Sequence, residues 1–155
     1  MKFTSSAQIL KGKTDLRRET GYTLSHGVQP QFLDSPLGST EVNFTFHSTT
    51  YAFMHTHFDG IYPIFSPGDI VRFNEWIVWA KNWNDIPTNN PKIDLNNLSY
   101  TVVTSWGSYT MTYDGIGATP FQNFTQQEVD NINDRYISLL KSCATAGASG
   151  ISYNM

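Results

Sequence analysis

The clearest periodic signal along the chain runs from Glu41 to Trp83. Between Glu41 and His47 every second residue is apolar, with Val42, Phe44 and Phe46 on one side, which is the alternation of a half-buried strand. Thr50 to His57 is β-branched and aromatic and reads as a second strand. The period then changes. Apolar residues at 70, 71, 73, 76, 77, 78 and 80 form a wide stripe on a helix over Asp69 to Trp83. Trp76, Trp79 and Trp83 on that helix are expected to pack against the sheet.

The flanking segments are less regular. A short helix is expected around Ala7 to Leu10, a turn near Asp15 to Arg18 and a strand at Gly21 to Ser25. Residues 27–40 carry two prolines and two glycines and read as an irregular loop. Asn82 to Asn97, rich in Asn, Asp and Pro, is a second loop. Leu98 to Trp106 and Ser108 to Tyr113, joined at Gly107, predict a β-hairpin. Asp114 to Pro120 breaks the pattern, and Thr125 to Ala146 predicts a helix with Val129, Ile132, Tyr136, Leu139 and Leu140 inward. Together these elements make one α/β (α+β) domain over residues 1–155.

Composition narrows the class of protein. Charged residues are 15% of the 155 positions and aromatics 14%, which points to an aromatic-rich core and away from disorder. The net charge of −3 is unclustered, and Lys11, Lys13, Arg17 and Arg18 are too few for a nucleic-acid footprint. The single Cys143 excludes an internal disulfide framework and an all-cysteine zinc site. No run approaches the length of a membrane span. Met1 to Leu10 lacks the apolar region of a secretory signal, which leaves the cytoplasm as the default compartment and a larger exported or phage protein as the other.

The chemistry concentrates at 54–72, where the strand hands over to the helix. His55 and His57 lie two apart on a strand and point to one face, so both imidazoles can reach one ion. Ser66-Pro67-Gly68-Asp69 is first of all a helix start: serine at the N-cap, proline at the first position and an acid at the third. A helix that begins beside the histidines would also hold Asp69 where a third ligand is needed, leaving the fourth position to water, as in catalytic zinc sites. Asp59 and Gly60 are explained by an Asp-Gly turn, although Asp59 could orient His57.

The order His-x-His, a short loop and Ser-x-x-Asp resembles the JAMM signature of the JAB/MPN-domain metalloproteases, in the style of compact bacterial or phage JAB-like domains. The resemblance covers roughly residues 15–115, and its specificity comes from five positions. It implies an MPN/JAB-like domain with a central mixed sheet flanked by helices, and Zn2+ held by His55, His57 and Asp69. It also implies an upstream glutamate as general base and Ser66 as donor to the oxyanion. Arg18-Glu19-Thr20-Gly21 matches the context of that glutamate and makes Glu19 the choice, with Glu41 the competitor because it opens the expected strand beside His57. The chain departs from the family pattern at Phe58, where proline is usual. It also places eight residues between His57 and Ser66, one more than usual, and fewer than usual between Glu19 and His55.

The expectation is a zinc-dependent peptidase or isopeptidase acting by metal-activated water. The resemblance implies isopeptide-linked proteins, sulfur-carrier precursors or peptidoglycan peptides as substrates. Phe53, Phe58, Tyr62 and Phe65 could line the groove, although core packing is the fate expected of most of them. The alternative is a non-catalytic MPN-like scaffold or partner-binding module.

Overall fold

The computed structural model describes residues 2–61, 63–115 and 124–148. In chain order the elements are α1 (Lys2–Lys11), β1 (Thr20–Ser25), β2 (Gln31–Asp34), β3 (Thr50–Thr56), α2 (Pro67–Asp85), β4 (Ser99–Val103), β5 (Ser108–Thr112) and α3 (Gln126–Ala148). The strands form one mixed sheet in the order β2-β1-β3-β4-β5, flanked by three helices. β3 pairs with β4 in parallel, and the other pairs are antiparallel. α2 is the crossover that the parallel pair requires.

β3 is buried along almost its whole length because both of its faces are covered. Ala52 and Met54 face α1 and share a core with Leu10, Leu24 and Val103. Phe53 points the other way, into the larger core of Trp76, Ile77, Phe73 and Tyr100 beneath α2. From Phe53 onward the odd positions therefore look toward α2, and this places His55 and His57 on the same side as the helix that carries Asp69.

Two segments differ from the sequence-based expectation. Residues 41–47 form no ladder, although Val42 and Phe44 are buried and Glu41, Asn43 and Thr45 exposed, as the alternation predicts. Both edges of β3 are already taken by β1 and β4, so the segment lies over the core instead. There Phe44 stacks on Phe53 at 4.1 Å, and its carbonyl accepts from Arg72 Nη2. The alternation thus reported which side is buried and not a strand. Conversely, the loop expected over 27–40 contains β2, four mostly exposed residues between two prolines that pair with the outer edge of β1. So short and exposed a strand leaves no hydrophobic alternation to read.

The helices follow their patterns with longer ends, whereas β3, β4 and β5 stop short of the expected segments Thr50 to His57, Leu98 to Trp106 and Ser108 to Tyr113. α1 begins earlier than Ala7, and α2 runs from Pro67 to Asp85. Trp76 is fully buried, and Trp79 and Trp83 pack against the same core. The β4–β5 pair is the expected hairpin, and Trp106 at its tip is 82% exposed. α3 rests on α2 along a narrow stripe, so Val129, Tyr136 and Leu140 are half-buried. Ile132 and Leu139, expected inward, face out, because one neighbouring helix covers only part of the stripe. Residues 116–120 of the expected break lie outside the described residues, as does Tyr62.

Candidate metal centre

The cap of α2 is built as its sequence dictates. Ser66 is the N-cap with extended backbone, Pro67 occupies the first turn, and Ser66 and Asp69 form a reciprocal capping box. Ser66 N–H and Oγ–H both donate to Asp69 Oδ2, at 2.6 and 2.8 Å, while Asp69 N–H donates back to Ser66 Oγ at 3.2 Å. One carboxylate oxygen is thereby pinned to the helix start. The other, Oδ1, turns to the sheet.

Both oxygens meet a histidine. His55 Nε2 lies 3.0 Å from Asp69 Oδ1, His57 Nε2 lies 3.2 Å from Oδ2, and the two Nε2 atoms are 3.2 Å apart. His57 is held past the end of β3 by its N–H, which donates to the Val103 carbonyl and extends the parallel ladder. The His55 ring is held by packing, stacked on Phe53 at 5.3 Å with the Tyr100 ring edge-on at 5.4 Å, and its Nδ1 is buried without a hydrogen-bond partner. The Tyr100 hydroxyl donates to Asp69 Oδ1 at 3.3 Å.

Glu19 arrives from the opposite strand. It precedes β1, whose register sets Gly21 against His55, so the same register carried two residues further sets Glu19 against His57. Its backbone is clamped on both sides: Glu19 N–H donates to the Ser39 carbonyl, and Ser35 Oγ–H donates to the Glu19 carbonyl. Its carboxylate stands 3.7 Å from His57 Nε2 and 4.0 Å from His55 Nε2. Glu19, His55 and His57 are all buried and bring ligand atoms within 4.8 Å of one another, a group that could hold a metal ion.

Spacing distinguishes the two carboxylates. Tetrahedral ligands at Zn–N and Zn–O bonds of about 2.0–2.1 Å are separated by roughly 3.4 Å. The two imidazole Nε2 atoms, 3.2 Å apart, are close to that edge, and each lies beside a different oxygen of Asp69, His55 at 3.0 Å from Oδ1 and His57 at 3.2 Å from Oδ2. Glu19, at 3.7 and 4.0 Å, stands farther out.

The electrostatics are those of a buried acid–base cluster. Burial, then the neighbouring Asp69 charge and to a lesser degree Glu41, push the Glu19 carboxyl up to about 9, against a backbone N–H of Val42 that favours the charged form. Burial also works against the charged form of Asp69. The His55 charge and hydrogen bonds from His55 and His57 overcome it and hold Asp69 well below the usual carboxylate range. Burial lowers His55 despite the attraction of Asp69.

Glu19, His55, Ser66 and Asp69 line one cavity of about 420 Å3, whose far wall includes Val129 and Asn133 of α3. Glu41, the competing base, lines the same cavity but is exposed and stands outside the buried group. His57 lines a second, smaller hollow of about 60 Å3 with Phe58, Asp59 and Trp106. Asp59 accepts from Ser105 Oγ at 2.6 Å, tying the loop after β3 to the β4–β5 hairpin. Phe53 and Phe65 belong to the core beneath α2, where packing and not a groove accounts for them.

The sequence reading thus named every acid and imidazole in this cluster, and it missed Tyr100. A tyrosine alternating on a strand carries no signal of its own, and only the β3–β4 register brings it to Asp69. Comparison of the chain with protein-family models, curated proteins and solved structures returns no match.

Proposed function

We propose that this protein is a zinc-dependent hydrolase that cleaves a peptide or isopeptide bond. The observation that carries the reading is the convergence of the His55 and His57 Nε2 atoms, 3.2 Å apart, with the Asp69 oxygens 3.0 and 3.2 Å from them and a further buried carboxylate, Glu19, at a cavity wall. Two imidazoles and one carboxylate are the donor set of catalytic zinc sites, which keep one position open.

Zinc in such a site supplies Lewis acidity and brings the pKa of its water to about 7. The chain's own groups do the rest. With a metal bound, Glu19 would serve as general base and then general acid, accepting a proton from the attacking water and returning it to the leaving amine. Close approach of a cation favours its carboxylate form, the reverse of what burial does to it alone. Ser66 lines the same cavity, and its hydroxyl can stabilise the oxyanion by turning its hydrogen from Asp69 to the substrate. The Ser66 N–H continues to hold Asp69 through that turn. Core packing holds the His55 ring and the extended ladder holds the His57 backbone, so the sheet would preorganise the ligand geometry.

The test is Glu19→Gln in zinc-loaded protein against a panel of peptide and isopeptide substrates. The variant should keep its zinc and lose hydrolysis by about 10²-fold or more, the weight of a positioned base. Unchanged hydrolysis in Glu19→Gln would contradict the role and turn attention to Glu41.

A further inference from the structure

Asp69 is the ligand whose two oxygens are treated differently. Oδ2 takes two hydrogen bonds from Ser66, which anchor it to the helix cap, and has His57 Nε2 at 3.2 Å. Oδ1 is approached by His55 Nε2 at 3.0 Å and by the Tyr100 hydroxyl at 3.3 Å. If His55 Nε2 gives its lone pair to a metal, it no longer donates to Oδ1, and Tyr100 is then the donor that remains there among the described residues.

The position of that hydroxyl is fixed by the fold. Tyr100 pairs with Phe53 across the parallel β3–β4 ladder and is 4% exposed. Phe53 lies 4.9 Å from its ring, Phe73 5.9 Å and Phe44 6.4 Å, and His55 closes a further side at 5.4 Å. A ring penned in this way cannot swing, so its hydroxyl is a fixed point against which the carboxylate can be set. At 3.3 Å the contact is long for an O–H···O bond, and its weight lies in orientation more than in strength.

Resting on the metal reading above, we propose that Tyr100 is a positioning residue for the third ligand. Its hydroxyl holds Asp69 Oδ1 toward the ion while Ser66 holds Oδ2, so the carboxylate cannot rotate out of the site. Partners of this kind behind a metal ligand are typically worth about 10–100-fold in affinity.

Tyr100→Phe tests this, because it keeps the packed ring and removes only the hydroxyl. Zinc affinity is measured by competition with a chelator, the ligand field by the visible spectrum of the cobalt-loaded protein, and the fold by melting of the metal-free protein. The expected result is zinc binding weaker by about tenfold or more and an altered cobalt spectrum, with metal-free melting unchanged. Wild-type affinity with an unaltered spectrum overturns the proposal. So does a loss of affinity accompanied by collapsed metal-free melting and an unaltered spectrum, since the hydroxyl would then be a contact of the fold. A wild-type protein that takes up neither zinc nor cobalt overturns the metal reading itself, and this role with it.

Discussion

Glu19 and His57 face each other across the β1–β3 pair, Oε1 to Nε2 at 3.7 Å, although 37 intervening residues separate them in the chain. An antiparallel register delivers opposite residues to the same face of a sheet, so a carboxylate just before β1 and an imidazole just after β3 necessarily share one. The buried acid–base cluster is therefore a product of strand pairing, with Asp69 added from the helix that covers that face.

The register depends on a missing side chain. Gly21 sits opposite His55, and a Cβ there would come within 2.8 Å of the Met54 carbonyl oxygen and 3.4 Å of His55 Cβ. A backbone oxygen cannot step aside cheaply, so β1 itself would have to move and carry Glu19 with it. Gly21→Ala should lower stability by about 1–3 kcal/mol, the usual cost of overpacking, and weaken zinc binding in parallel. Chemical denaturation and chelator competition on the same preparation check this. Wild-type values in both would contradict the close-packed register.

The metal-free protein should also lose stability as the pH rises above neutrality. Glu19 keeps its proton in the fold up to about 9, whereas in the unfolded chain it releases it near its ordinary 4.5. Between those values the folded state binds more protons, and stability falls with rising pH. His55 works in the opposite sense: its value is lowered from 6.5, so its contribution is lost only as the pH falls below that. From pH 6.5 to 9 the Glu19 effect therefore stands without opposition from His55. Melting of metal-free protein should decline over this window, and Glu19→Gln should flatten the decline. An equal slope in the variant would contradict the assignment.

The parts of the site that could be read from sequence are those encoded locally. His55 and His57 need only a strand's two-residue period, and Asp69 needs only the cap that Ser66 and Pro67 announce. Glu19 is picked out only by the resemblance of Arg18-Glu19-Thr20-Gly21 to a family context, because its own position reads as a surface carboxylate. What escaped is what long-range pairing decides. β2 is a strand because β1 has a free edge beside it, and residues 41–47 are not one because β3 has none. Tyr100 reaches Asp69 only through the β3–β4 register, and the α3 wall of the cavity depends on how that helix lies against α2.

The central claim is that His55, His57 and Asp69 hold one zinc ion. Elemental analysis of the purified protein, after chelation and reloading with zinc, tests it most directly when repeated on His57→Ala and Asp69→Ala. The account predicts about one zinc per wild-type chain and strongly reduced zinc in each variant, as expected for a site with three protein ligands. Zinc retained at the wild-type level in both variants would contradict it.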